Sequence, residues 1–599
     1  MQILQRLLIL LVLPFVLFVA TFASVTSIHA PAVITNESRG TLTIITLNLT
    51  SGDGAVTISG PISVGTSTLD SAREAALVAS AYAGVNSSNY NFSYTISDRN
   101  TSVSGPSAGL AFTLLAVSAL EHKPLLGNFT VSGEILSNGS VGLIGGVYDK
   151  AEAASNGKMR FFILPNSSQG GSLESLIYYI SQSVFKVPIV QIDNMSQALQ
   201  YATGLAAPEP FFYNVTQHYA LSGVPQVNLT CSACNESLFD GLANFTLNFT
   251  GSAVAGIGAN FSSAKQQMLA NDQRFAELNA KGYAYTAADF AFLQYLSAFV
   301  LDNAGNYTAY GASSVLSNIS NFCSSLQQPI LNSANYEYAI GGELRQELAN
   351  ITLAQASSLL NSSQVTSDSY IESLYYGAEA LGWCKAAQYM YNISDQLSGN
   401  YVAISGSLRS AAASAISNAA RFGSNIYLDS ATKSFSAGNY PVALYAATYA
   451  AVLGNQRLTS GMTSAQLYNA TLSNISASYQ SGVWPYQFSA EALFYLHEYA
   501  LGFKTGLASA YQTSQLASAI ANADKEIKSS FIATSAPVQP ELMQQLIGIE
   551  SSIQELFALL IVLLVLVFAT LVALLVLIAG NRKQSSRSKR GSARRSGMA

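Results

Sequence analysis

Charged side chains are scarce in this chain: Lys, Arg, Asp and Glu together make up 10% of its 599 residues, and the formal net charge is −5. In a thinly charged, mildly acidic protein nothing suggests nucleic acid as a partner, and none is expected. No Gly-x-x-x-x-Gly-Lys-Ser/Thr phosphate loop occurs, so the residues present do not cradle a nucleotide, and no cofactor is expected. Histidine and cysteine number only four each. Cys231-Ser-Ala-Cys234 has the spacing of a metal half-site, but no second Cys-x-x-Cys or nearby histidine completes a zinc cage. No metal site is expected.

Apolar residues, by contrast, reach 49%. Residues 7–23 form an uncharged run after Arg6, and residues 1–30 read as a signal peptide, with Thr21-Phe22-Ala23 as a cleavage site, or as an N-terminal anchor. Residues 556–580 contain no charge and exceed the roughly 20 residues that span a bilayer. The tail at 581–599 carries Arg582, Lys583, Arg587, Lys589, Arg590, Arg594 and Arg595 without an acid, a stop-transfer signature. These ends predict a membrane protein with a cytoplasmic C-terminal tail and the bulk of the chain, from about residue 31 to 550, extracytoplasmic. Asn-x-Ser/Thr sequons recur between the two apolar segments, among them Asn36, Asn48, Asn128, Asn244, Asn318 and Asn474, as in a surface glycoprotein. In an oxidising compartment the cysteines are expected to pair 231–234 and 323–384, although spacing alone leaves connectivity open.

Two short stretches carry chemistry. Gly105-Pro106-Ser107-Ala108-Gly109 supplies a hydroxyl nucleophile, Ser107, on a glycine-flanked turn into a helix, where free backbone N–H groups can hold an oxyanion. Val141 to Lys150 supplies an amine, with Leu143, Ile144 and Val147 as apolar walls that favour the neutral, basic form of Lys150. His122 is the one histidine between residues 38 and 205. It lies in the polar Glu121-His122-Lys123-Pro124, where a surface role is expected rather than a Ser/His/Asp triad.

These residues resemble the proteolytic domain of Lon proteases, which are Ser/Lys-dyad peptidases. The family pattern of a Gly-Pro-Ser-Ala-Gly turn, a Thr-Gly-Glu-Ile strand, Gly-Gly-x-x-x-Lys and Ala-Ala is matched in order. The matching stretches are Gly105 to Gly109, Ser132-Gly133-Glu134-Ile135, Gly145-Gly146-Val147-Tyr148-Asp149-Lys150 and Ala153-Ala154, followed by an apolar strand that ends in Pro165. The resemblance implies that Ser107 and Lys150 are catalytic. Ser132 would orient the amine, and Gly105, Pro106, Ala108 and Gly109 would shape the turn. Two positions depart from the pattern: Ser104 stands where the family has an acid, and Ser132 where it has threonine. Lon-like domains commonly form rings, so the resemblance also leaves room for a homo-oligomer.

Strand and helix signals alternate over 38–205, an α+β domain. Strands are expected at 41–50, 55–63, 91–97, 128–135, 160–164 and 188–192, and helices at 71–83, 107–120, 147–154, 173–184 and 195–203. Residues 206–261 read as a linker or small β element, because Phe245-Thr246-Leu247-Asn248-Phe249-Thr250 alternates. Residues 262–535 read as an α-helical domain, in which 433–447 has either the form of a tetratricopeptide-type hairpin or that of an ordinary bundle. Tyr370, Tyr375, Tyr376, Tyr389 and Tyr391 are expected mainly as packing residues, with a peptide groove as the alternative.

Taken together, the sequence predicts an α+β Lon-like protease domain, a mostly α-helical domain and a C-terminal transmembrane helix. The expected function is ATP-independent serine endopeptidase activity on unfolded polypeptides or peptides at the membrane. The alternative is a catalytically weak surface binding or scaffold protein that retains the protease fold.

Overall fold

Strand β2 (Arg39–Ser51) shows why a sheet forms at this point in the chain: Thr43, Ile45, Leu47 and Leu49 are buried, while Ile44 and Asn48 between them are exposed. That two-residue period is the signature of a strand with one covered face. The computed structural model describes residues 24–534 except 35–37, 62, 98–101, 216–222, 232–233, 235 and 363. The apolar segments 7–23 and 556–580 and the basic tail therefore lie outside the described residues.

The N-terminal unit is a seven-stranded mixed sheet in the order β11-β10-β7-β1-β2-β5-β3. Its strands are β1 (Ser24–Ile34), β2, β3 (Val56–Ser59), β5 (Tyr90–Ile96), β7 (Phe129–Val131), β10 (Phe161–Pro165) and β11 (Ile189–Ile192). Two-stranded pairs β4 (Ser63–Val64) with β6 (Ser102–Val103) and β8 (Glu134–Ile135) with β9 (Val141–Gly142) flank it. Helices α1 (Thr66–Tyr82), α2 (Gly109–Glu121), α3 (Val147–Asn156), α4 (Gly171–Phe185) and α5 (Met195–Ala202) alternate with the strands. Phe161 and Ile163 face one core, with α1, α2 and α5, whereas Phe162 and Leu164 face the other, with α3 and α4. Neighbouring residues of β10 point to opposite faces, so the sheet is buried on both sides.

The sheet starts earlier than the expected boundary at residue 38. β1 begins at Ser24, inside the stretch read as a signal or anchor, and pairs along its length with β2 from Ser24↔Leu49 to Ile34↔Arg39. Ile28 and Ala30 are buried in the core with Ile45 and Leu47. The apolar run before it masked this weak strand, in which His29 and Pro31 interrupt the pattern. The expected strand 128–135 is also divided. After Val131 the Ser132 N–H still bonds the Ile163 carbonyl of β10, but the Gly133 backbone turns aside to bond Ser107 and Leu110, and β8 resumes at Glu134.

The second unit is built of α6 (Glu236–Gly256), α7 (Ser262–Ala280), α8 (Ala284–Asp302), α9 (Ala309–Ser324), α10 (Tyr336–Leu360) and α11 (Ser367–Gln396). It continues with α12 (Ser407–Ala419), α13 (Ile426–Ser436), α14 (Tyr440–Gly454), α15 (Ser464–Ser478), α16 (Val483–Ala500) and α17 (Lys504–Ser529). A small pair, β12 (Val402–Ile404) with β13 (Phe531–Ala533), closes it. The expected β element within 206–261 is helix α6 instead. Phe245 and Phe249, four residues apart, meet edge to face and reach Tyr389 and Tyr295 respectively. The Thr246 hydroxyl donates back to the Leu242 carbonyl. Alternation in that stretch coincides with i, i+4 spacing, and the tertiary partners select the helix.

α8 is long and apolar enough to cross a membrane, but most of it is buried among its neighbours in this fold. Residues 433–447 form the turn of the α13–α14 hairpin, where the Asn439 side chain accepts from Val442 N and Pro441 stands in the first turn of α14. The singled-out tyrosines pack: Tyr370 and Tyr391 are buried, and the Tyr391 hydroxyl donates to Gln346. Both expected cysteine pairs are joined, Cys231–Cys234 and Cys323–Cys384. The Cys231/Cys234 half-site is thus consumed, and no cluster of metal-ligating residues occurs among the described residues.

Candidate active site

The turn that presents Ser107 is held from two sides. Gly105 has φ +109, a conformation open to glycine, and its N–H donates to Ser67 Oγ at 3.0 Å. Thr68 Oγ1 donates to the Gly105 carbonyl at 2.9 Å and Ser71 Oγ to that of Pro106 at 3.0 Å, so the first turns of α1 clamp the loop. From the other side Gly133 N and Ser132 Oγ donate to the Ser107 carbonyl at 2.9 and 3.1 Å, and Leu110 N donates to Gly133 O at 3.0 Å. A Cβ at Gly109 would run into the Ser71 hydroxyl and Ile135, so this close approach also needs glycine.

Ser107 comes out half-buried at the mouth of α2, two residues before the helix begins. Among the described residues no acceptor is bonded to the N–H of Ser107 or of Ala108. Both are placed to serve an oxyanion at a helix N-terminus.

Lys150 enters from α3, on the opposite wall. It is 4% exposed, and burial, opposed by the nearby carboxylates of Asp368 and Asp149, brings its amine down to about 8. Ser107 and Lys150 line the same cavity, of about 760 Å3, together with Gly105, Pro106, Ala108, Leu143, Ile144 and residues 30–34 of β1. The expected apolar wall of Leu143, Ile144 and Val147 is thus only partly at the cavity, since Val147 is buried behind it. Ser132 is buried, and its single proton goes to the Ser107 carbonyl, leaving its lone pairs as the acceptors open to an amine.

His122 is exposed and caps the far end of α2 in a left-handed conformation. The helix has 13 residues. At 1.5 Å per residue that is about 20 Å from the Ser107 turn, which removes it from the chemistry.

Three acids at the site were not picked out from the sequence. Glu174 from α4 and Asp368 and Glu372 from α11 line the cavity. Burial raises the Glu174 carboxyl to about 7 and that of Asp368 to about 6. A signal existed. Gly146 precedes α3 without any side chain to satisfy that helix's first N–H groups, which leaves them to water or to a partner from elsewhere in the chain.

Comparison with known proteins finds a family match over this part of the chain. Residues 32–203 match the family model of the Lon protease (S16) C-terminal proteolytic domain. The chain is 37% identical over 87 residues to a Lon protease of Ureaplasma parvum, which covers 14% of this chain and 11% of that protein. It is 31% identical over 126 residues to a Lon protease of Neorickettsia sennetsu, with 21% and 15% covered. An archaeal Lon protease of Methanothermobacter thermautotrophicus is 28% identical over 121 residues, with 20% and 18% covered. The chain thus spans less than a fifth of the length of each of these relatives, and the helical unit lies outside the family match. Residues 32–203 of this chain are a Lon-type proteolytic domain.

Proposed function

We propose that this protein is a membrane-anchored, extracytoplasmic serine peptidase that cleaves unfolded chains or peptides without ATP. The observation that carries the reading is the shared cavity. A half-exposed hydroxyl and a buried amine tuned to about 8 line one space large enough for several residues of substrate.

Ser107 Oγ attacks the peptide carbonyl while Lys150 Nζ takes its proton. The N–H groups of Ser107 and Ala108 receive the oxyanion. Lys150 then returns the proton to the leaving amine, and water, activated by the same amine, releases the acyl group from Ser107. No phosphate loop in these 599 residues couples unfolding to ATP, so substrates would be chains that are already unfolded. Anchoring follows from the apolar 556–580 segment and its basic flank.

The test is hydrolysis of casein and labelling by a serine-directed fluorophosphonate. Ser107→Ala should abolish both while leaving the far-UV circular dichroism spectrum intact. An S107A variant that retains most of its hydrolysis would refute the assignment.

A further inference from the structure

Helix α3 begins at Val147, and its missing cap is supplied from the helical unit. Asp368 Oδ2 accepts from Val147 N at 2.6 Å, and Asp368 Oδ1 accepts from Tyr148 N at 2.8 Å, across 221 and 220 residues of sequence. The exchange is mutual. Ser367 N, at the first position of α11, donates to Asp149 Oδ2 at 3.1 Å, and the Ser367 hydroxyl donates to the Ser38 carbonyl at 3.3 Å. Two helix N-termini therefore satisfy each other's free N–H groups across the boundary between the units. Asp368 is only 6% exposed, yet it borders the cavity shared by Ser107 and Lys150. Lys150 follows Val147 by three residues, so the two capped N–H groups belong to the turn that carries the amine.

We propose that Asp368 is a positioning residue for Lys150, holding the first turn of α3 and setting the charge that the amine faces, so that the helical unit completes the catalytic site. The proposal rests on the reading of Ser107 and Lys150 as the dyad. The amine is faced by Asp368 from α11 and by Asp149 on its own helix, and the cavity also holds Glu174 from α4 and Glu372 from α11. Strands β1, β2 and β10 also pack on α3 and bring no titratable side chain to the cavity. The Asp368 carboxyl, at about 6, is an anion throughout the range in which Lys150 titrates near 8, and its charge raises the amine against the effect of burial. Removing that charge frees the amine at lower pH.

Two variants of the full chain separate position from charge. Asp368→Asn removes the charge and, because an amide nitrogen cannot accept, one of the two caps. Ser367→Pro removes the donor on the other side while keeping both carboxylates, and proline is tolerated at a helix's first position. Two readouts are followed against pH: kcat/KM on a fluorogenic peptide, and modification of Lys150 by an amine-directed reagent, quantified by mass spectrometry. The second needs no turnover.

D368N should move both midpoints to lower pH and cut the plateau of kcat/KM by about tenfold, within the range that small misplacements of a catalytic group produce. S367P should lower the plateau with the midpoint unmoved. Hydrolysis by D368N with the wild-type midpoint in both readouts overturns the proposal and leaves the dyad standing. A shifted modification midpoint without hydrolysis in any variant, wild type included, overturns the dyad instead and supports the placement of Asp368 over the amine. Should D368N not fold, S367P decides, and an unchanged plateau overturns the positioning role.

Discussion

The chemistry assigned to Lys150 can be tested by titration, because burial changes how much base is present. Moving the amine from 10.5 to about 8 raises its neutral share at pH 7 from about one in three thousand to about one in ten. Because only the neutral amine accepts the Ser107 proton, kcat/KM should rise about tenfold per pH unit up to pH 7 and level off above about 8. Lys150→Arg keeps the charge but places a group that does not deprotonate, and should lower kcat/KM by about 10²- to 10⁴-fold at every pH. The same burial has a thermodynamic side. A lysine brought down from 10.5 to about 8 costs the fold about 3 kcal/mol wherever it is protonated in the unfolded chain but disfavoured in the native one. The sign follows from the direction of the shift. The folded value lies below the unfolded one, so the cost is fully present below about 8 and disappears as pH rises through 10.5. Lys150→Met should therefore be inactive and more stable at pH 7 by up to about 3 kcal/mol, or several degrees in Tm, with the gain shrinking above pH 8. Peptide assays from pH 6 to 9 and thermal melts at pH 7 and 10 measure both effects. A flat rate between pH 6 and 8, or K150R activity above a tenth of wild type, would rule out Lys150 as the base.

Gly109→Ala should lower stability by about 1–3 kcal/mol and depress turnover, because the new methyl meets Ser71 and Ile135 behind the nucleophile turn; equilibrium urea unfolding and peptide assays show both. The two disulfides should contribute unequally: Cys323–Cys384, 61 residues apart, about 4 kcal/mol by loop entropy, and Cys231–Cys234, three apart, about 2 kcal/mol. Chemical unfolding of the Cys→Ala pairs ranks them, and equal losses would contradict the loop argument. Added ATP should leave peptide turnover by the purified protein unchanged, and protease applied to intact cells should remove an epitope near residue 300 while sparing one after Ala599.

What the sequence determined on its own is local. Gly105 and Gly146 have positive φ, and a Cβ at Gly109 or Gly146 would clash with its neighbours, so at these positions the motif and the backbone conformation are one constraint. The alternation in β2 and the apolar run in β10 specify strands because their burial pattern repeats within a few residues. The cysteine spacing left connectivity open, and the fold joins 231 to 234 and 323 to 384. Other features needed the tertiary structure. β1 is a strand because β2 lines up against it, although its own pattern is broken by His29 and Pro31. Residues 245–250 alternate like a strand and are helical, because Tyr295 and Tyr389 stand where helical spacing delivers Phe249 and Phe245. Asp368 is the clearest case. Nothing near it in sequence marks it as part of a site, and only packing α11 against α3 brings its carboxylate to the N–H groups of Val147 and Tyr148. A helix start without a capping side chain leaves its N–H groups open to water or to a distant partner, and long-range folding alone decides which it is.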